Sequence, residues 1–107
     1  MSRSFGIRTE RNGAAVIVHV AGTLVEGERA ERLLWAVRGL ARRGVTRLVL
    51  DLEAVRLIDC AGLGLLVRCD DAARRAGASL RLAGAHGPVG RMLRMAALGD
   101  GTLRVSA

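Results

Sequence analysis

The sequence predicts a small α/β domain: a mostly parallel sheet of four to five strands, with an antiparallel strand at the N-terminal end and helices packed on it. Apolar strand-like runs alternate with amphipathic helical segments, a pattern typical of right-handed crossovers between parallel strands. Three similar junctions, at Gly44, Gly77 and Gly99, each place a glycine between a helix end and a strand start. At 107 residues, the chain is expected to form a single domain over residues 1–107.

The first two elements are predicted to form a hairpin. Residues 4–9 read as a weak strand, and Asn12-Gly13 is a strong signal for a two-residue turn. The apolar run 14–21 follows as the second strand. His19 lies within it and is expected to be a buried or half-buried structural histidine, because no second ligand is near it in sequence.

The later elements alternate between helix and strand. The segment 28–43 has apolar residues at helical spacing and acidic residues in its first turn. Pro88 occupies a favoured first helical position. The predicted order is helix 28–43, strand 46–52, helix 61–76, strand 79–83, helix 88–97 and strand 102–105.

Composition favours a soluble cytoplasmic protein. Half of the residues are hydrophobic, and the only aromatic ones are Phe5 and Trp35. No apolar run approaches the ~20 residues that span a bilayer, so no membrane insertion is expected. The N-terminus also lacks the apolar segment of a signal peptide.

The net charge of +7 raises the question of nucleic-acid binding. The cations are all arginines and are scattered rather than arranged in a stripe, and the chain has no tyrosine to stack on bases. Two pairs, Arg42-Arg43 and Arg74-Arg75, fall in predicted last turns of helices, where cations complement the helix dipole. We therefore expect no direct nucleic-acid binding, whereas an arginine-rich surface favours an acidic protein partner.

The two cysteines do not suggest a disulfide or a metal site. If Cys60 and Cys69 lie on one helix, a rise of ~13 Å separates them, which exceeds disulfide reach. No Cys-x-x-Cys pair exists, and His19 and His86 are distant in sequence. No metal and no cofactor are expected.

The most informative motif is residues 48–66. It reads Leu-Val-Leu-Asp-Leu, six residues, then Asp-Cys-Ala-Gly-Leu-Gly-Leu-Leu. Together with Val-Ala-Gly-Thr-Leu at 20–24 and the spacing of Val89, Leu93 and Ala97-Leu98, it resembles the STAS domain. More narrowly, it resembles bacterial anti-sigma factor antagonists, and the similarity covers nearly the whole chain.

This resemblance implies a protein-interaction module rather than an enzyme, existing as a monomer or weak dimer. Such a domain binds a serine-kinase-type anti-sigma factor and so releases a sigma factor. The kinase phosphorylates a Ser or Thr directly after the motif Asp, and the added charge ends the binding. The residues that the resemblance places in the partner contact are Asp59, Cys60, Ala61, Gly62, Leu63, Val67, Thr23, Leu24, Val25 and Glu26.

Two departures from the family pattern concern the switch and the neighbouring loop. Cys60 occupies the phospho-acceptor position, and no Ser, Thr or Tyr occurs between positions 47 and 78. The phosphorylation switch is therefore predicted to be missing there. The family's Gly-Glu-Leu-Asp loop is Gly-Thr-Leu-Val at 22–25, with Glu26 or Glu28 as replacements for its carboxylates.

Several interpretations of the motif remain open. Cys60 is a small residue that replaces serine without its chemistry, a redox-sensitive thiol at a helix N-terminus, or a nucleophile. Asp59 is a helix cap, a partner contact, or both. At the level of function, the alternatives are a stand-alone STAS subunit of a membrane (lipid) transport complex and a redox-responsive STAS regulator acting through Cys60.

Overall fold

Four strands and three helices make up the described part of the chain, which in this computed structural model comprises residues 5–25, 27–100 and 105. Strands and helices alternate after an initial pair of strands, as the sequence predicts. The elements in chain order are β1 (Gly6–Asn12), β2 (Ala15–Leu24), α1 (Glu28–Arg42), β3 (Arg47–Ile58), α2 (Cys60–Arg75), β4 (Ser79–Ala83) and α3 (Gly87–Asp100).

The strands form one mixed sheet in the order β1-β2-β3-β4. The predicted hairpin is confirmed, since β1 pairs antiparallel with β2, and the positive φ of 64° at Gly13 suits a tight turn. Its two turn residues are Gly13 and Ala14 rather than the predicted Asn12 and Gly13, because Asn12 pairs with Ala15. The pairs β2–β3 and β3–β4 are parallel and are connected by α1 and α2. The expected α/β architecture is therefore present.

One face of the sheet carries the core. Its central strands bury alternate residues, and the buried sides of all three helices join them in one apolar cluster. The other face is lined by the half-buried Ile17, His19, Val49 and Asp51. The buried strand residues on the core face are Val16, Val18, Val20, Leu48, Leu50, Leu52, Leu80 and Leu82.

β3 extends to Ile58, six residues beyond the end at 52 that the sequence predicts. Its pairing with β2 shifts register twice, so β3 gains an extra residue at each irregularity. As a result Leu52, Val55 and Ile58 are buried at a spacing of three rather than two. This spacing hides the strand from a search for period-two alternation.

α1 and α2 lie close to their predicted positions, but α3 continues to Asp100, so Gly99 lies inside the helix and not at the predicted junction. α2 buries Gly62, Leu65, Leu66, Cys69 and Ala73, as expected from their spacing. Ala76, the C-cap of α2, is exposed. No helix in the described residues is long and apolar enough to cross a membrane.

The predicted last strand, 102–105, lies outside the described residues except for Val105. That residue forms a parallel bridge with Leu82 of β4. The bridge lies on the side of β4 away from β3, where a fifth strand would add.

Candidate functional site

The first turn of α2 rests directly on the end of β2. A Cβ atom added to Gly62 would overlap the carbonyl oxygen of Leu24 and would lie 3.0 Å from Cγ1 of Ile58. The Asp59 amide donates a hydrogen bond to the same carbonyl at 3.4 Å. This contact brings together the loop after β2 and the turn between β3 and α2, as expected for neighbouring strand ends in a parallel sheet.

Asp59 is the N-cap of α2. Its Oδ1 accepts a hydrogen bond from the Gly62 amide at 2.8 Å, and its carbonyl accepts one from the Leu63 amide at 2.9 Å. The capping interpretation of Asp59 is therefore confirmed. The residue is nevertheless exposed, so it can also contact a partner.

Cys60 and Ala61 follow the cap and are both exposed on the first turn of α2. Both cysteines lie on α2 as free thiols. Cys69 is fully buried, and its burial raises the pKa of its thiol to about 12, which suppresses formation of the reactive thiolate. Cys60 is therefore the cysteine that a partner or a reagent can reach.

Several residues predicted to contact the partner have side chains that are not fully exposed. Leu24 is completely buried, so its side chain belongs to the core and its carbonyl instead supports α2. Gly62 is also buried, since it permits the close approach of the two elements. Leu24 and Gly62 therefore support the exposed turn from the core side. The prediction that they contact the partner directly is corrected accordingly.

The remaining predicted contacts lie at varying depths around the turn. Leu63 and Val67 are half-buried and pack against the core. Thr23 and Val25 are also half-buried. Glu26 lies outside the described residues.

A cleft of about 400 Å³ lies between the first half of α2 and the start of α1 with the loop that precedes it. An ion pair spans it, in which Nη2 of Arg68 donates to both carboxylate oxygens of Glu31 at 2.8 and 2.9 Å. The cleft is partly open to solvent rather than enclosed, so a side chain of a partner protein can enter it. Its lining residues are Val25, Gly27, Ala30, Glu31, Ala61, Gly64, Leu65 and Arg68.

We call this region the α2 N-terminal surface. It comprises the exposed Asp59, Cys60, Ala61 and Gly64 of α2 together with Val25 and Gly27 of the facing loop.

Trp35 extends this region along α1 and was not predicted as a site residue. Its side chain is 63% exposed, although tryptophan is usually largely covered. It lies one helical turn after Glu31, which lines the cleft. The helical spacing of its neighbours places it at the edge of the apolar face, and only the structure shows that the sheet does not cover it.

His19 lies on the open face of the sheet, where it bridges two carboxylates. Its Nδ1 is 2.7 Å from Oδ2 of Asp51 and its Nε2 is 2.7 Å from Oε1 of Glu10. These hydrogen bonds, Glu10 first and then Asp51, raise the pKa of His19 above its ordinary value of 6.5. The predicted structural role is confirmed, because the imidazole ties β1, β2 and β3 together.

No group of three or more His, Cys, Asp or Glu side chains within the described residues is arranged to hold a metal ion. In the His19 cluster the two carboxylates lie at opposite nitrogens of the ring, so they do not converge on one point.

Solved structures of several proteins share this fold. The match to an anti-sigma factor antagonist from Mycobacterium paratuberculosis covers 98% of this chain and 87% of that protein's chain, with 22% identity and a TM-score of 0.73. SpoIIAA is an anti-sigma factor antagonist described as a Bacillus cell fate determinant. The match to its unphosphorylated form covers 95% of this chain and 89% of SpoIIAA, with 15% identity and a TM-score of 0.73.

Two longer proteins contain a similar domain. The match to murine Slc26a9, an anion transporter, covers 90% of this chain, with 18% identity and a TM-score of 0.66. This chain spans only 16% of the transporter chain. The match to Mglu covers 70% of this chain, with 31% identity and a TM-score of 0.62, and this chain spans 18% of Mglu. No curated protein matches the sequence.

A family model identifies the domain directly. The model described as "Mlab, STAS domain" matches residues 7–105. This range includes all seven of the strands and helices described above, apart from the first residue of β1. The resemblance expected from the 48–66 motif is therefore confirmed, and the chain belongs to the STAS-domain family.

Proposed function

We propose that this protein is a non-enzymatic interaction module that binds a serine-kinase-type anti-sigma factor through the α2 N-terminal surface and so releases a sigma factor. The observation that carries the proposal is the exposed turn Asp59-Cys60-Ala61, held in place by the Gly62–Leu24 contact. A fixed, exposed turn beside a partly open cleft gives a partner a preorganised surface. Exposed Trp35 extends the available contact area, and tryptophan is enriched among residues that dominate binding energy.

The replacement of the phospho-acceptor by Cys60 makes the interaction constitutive. SpoIIAA has been solved in phosphorylated and unphosphorylated forms. In this chain no hydroxyl side chain occurs in β3 or α2. Binding would therefore be controlled by the amount of each protein rather than by phosphate transfer to this turn.

Affinity capture from a lysate of the source organism tests the proposal. Wild type is compared with Ala61→Arg, which places a bulky cation on the α2 N-terminal surface. Ala14→Arg is the matched control, because Ala14 is also exposed but lies in the hairpin turn at the opposite end of β2. We expect mass spectrometry to identify a kinase-type anti-sigma factor with wild type and the control, but not with Ala61→Arg.

A second candidate function is that of a stand-alone STAS subunit of a membrane transport complex. The similar domain within the anion transporter Slc26a9 favours it. The same capture experiment separates the two, because this function predicts that transporter components are retained. Equal recovery of one partner by all three baits would show that the α2 N-terminal surface is not the contact.

A further inference from the structure

A second surface on the same two helices has an unusual concentration of positive charge. α1 and α2 pack side by side, and an open groove of about 320 Å³ lies between their second halves. Four arginines contribute to its lining, against a single carboxylate. The lining residues are Arg38 and Arg42 of α1, Arg68, Asp71, Ala72 and Arg75 of α2, and Ala76.

The nearby carboxylates neutralise only half of this charge. Asp71 is already engaged, because Nε of Arg75 donates to its Oδ2 at 2.9 Å. Arg68 donates to Glu31 at the boundary with the neighbouring cleft. Among the side chains that the structure describes, neither Arg38 nor Arg42 forms an ion pair, so two guanidinium groups remain available for a ligand.

The helix dipoles account for only part of this arrangement. Arg42 and Arg75 lie in the last turns of their helices, where a cation is favourable without any ligand. Arg68 lies in the middle of α2 and is held by its ion pair with Glu31, whereas Arg38 lies one turn before the end of α1. The dipoles and the ion pairs therefore do not account for Arg38 beside this groove.

We propose that this groove, which we call the arginine groove, binds an acidic segment of a partner protein. The cations form two rows, because Arg38 and Arg42 are one turn apart on α1 while Arg68 and Arg75 are separated by ~10 Å of rise on α2. Several carboxylates spaced along a peptide match such rows. A single phosphate would instead be gripped by converging arginines or by amides at a helix N-terminus, and this groove lies toward the helix C-termini.

Binding of a model acidic peptide tests this proposal without knowledge of the natural partner. The probe is a fluorescein-labelled peptide of about ten glutamates, and fluorescence anisotropy is measured at low and near-physiological salt because screening weakens exposed charge pairs. The test variant is Arg38→Ala/Arg42→Ala. The matched control is Arg8→Ala/Arg81→Ala, which removes the same charge from exposed residues of β1 and β4.

We expect the groove variant to weaken peptide binding by about tenfold or more, and the control to change it by less than about twofold. Equal losses in both variants would overturn the proposal, because they would show a diffuse response to the net charge of +7. An undetectable interaction with wild type would also overturn it. Tighter, Arg38- and Arg42-dependent binding of a single-stranded oligonucleotide would assign the groove to nucleic acid instead.

The folding of each variant is checked by thermal unfolding. The outcome does not depend on the proposed anti-sigma partner, since the probe is synthetic and the substitutions leave the α2 N-terminal surface unchanged. Failure of the groove proposal and failure of the proposed function therefore give different results.

Discussion

At the scale of single residues, Gly62 controls how closely α2 approaches the sheet. Its missing side chain leaves room for the Leu24 carbonyl, and that contact fixes the turn that presents Cys60. Gly64, two residues later, has open space around it. The two glycines of one motif thus have opposite structural requirements, which the sequence Gly-Leu-Gly alone does not reveal.

Alanine substitutions at these two positions should have opposite effects. Gly62→Ala forces the helix and strand apart and should lower the free energy of unfolding by about 1–3 kcal/mol. Gly64→Ala adds a good helix former in open space and should raise it by about 0.5–1 kcal/mol. Urea unfolding of both variants measures the difference, and a neutral Gly62→Ala would contradict the close contact described here.

At the scale of elements, β3 shows where prediction from sequence succeeded and where it failed. The apolar core of the strand, Leu48 to Leu52, was recognised from composition. Its extension through Val55 to Ile58 was missed, because two register shifts replace alternation by a spacing of three. α2 was predicted closely because it keeps a regular helical period, and the cap at Asp59 was predicted from its residue type.

The open face of the sheet should make stability depend on pH through His19. Protonated His19 donates to carboxylates on both neighbouring strands, so its pKa is higher in the folded state than the ordinary value of 6.5. This stabilisation is fully present below the unfolded-state pKa and is lost as the pH rises through the folded-state pKa. We therefore expect the His19 contribution to decline over the pH interval that begins near the ordinary pKa of 6.5 and extends through the raised folded-state pKa.

Comparison with His19→Gln isolates this contribution. Urea unfolding at several pH values should show wild type losing stability relative to the variant as the pH increases across that interval. The difference between the two curves is the relevant quantity, because other titrating groups contribute to both. A difference that grows with increasing pH would have the wrong sign for this account.

At the scale of the whole molecule, the fold was accessible from the sequence, but the exposure of individual side chains was not. The contact between the loop after β2 and the turn before α2 follows from the parallel order of β2 and β3, which places their carboxyl ends side by side. Which side chains are exposed depends on how the helices pack on the sheet. Only the structure therefore shows that Leu24 is buried and that Trp35 is exposed. The arginine groove likewise requires two helices to be placed side by side.

The central claim is that a partner docks on the turn at Cys60 and that this cysteine removes its control by phosphate. The most direct test is calorimetric titration of the partner recovered by affinity capture. It is titrated into wild type, Cys60→Ser, Cys60→Asp and the matched control Ala14→Asp. An acidic residue at the first position of a helix is favourable, so Cys60→Asp should fold normally.

The account predicts that Cys60→Ser binds within about twofold of wild type, while Cys60→Asp loses about tenfold or more because a negative charge enters the contact. Ala14→Asp should bind like wild type. Undiminished binding by Cys60→Asp would contradict the claim, because it would show that the partner docks elsewhere on the domain.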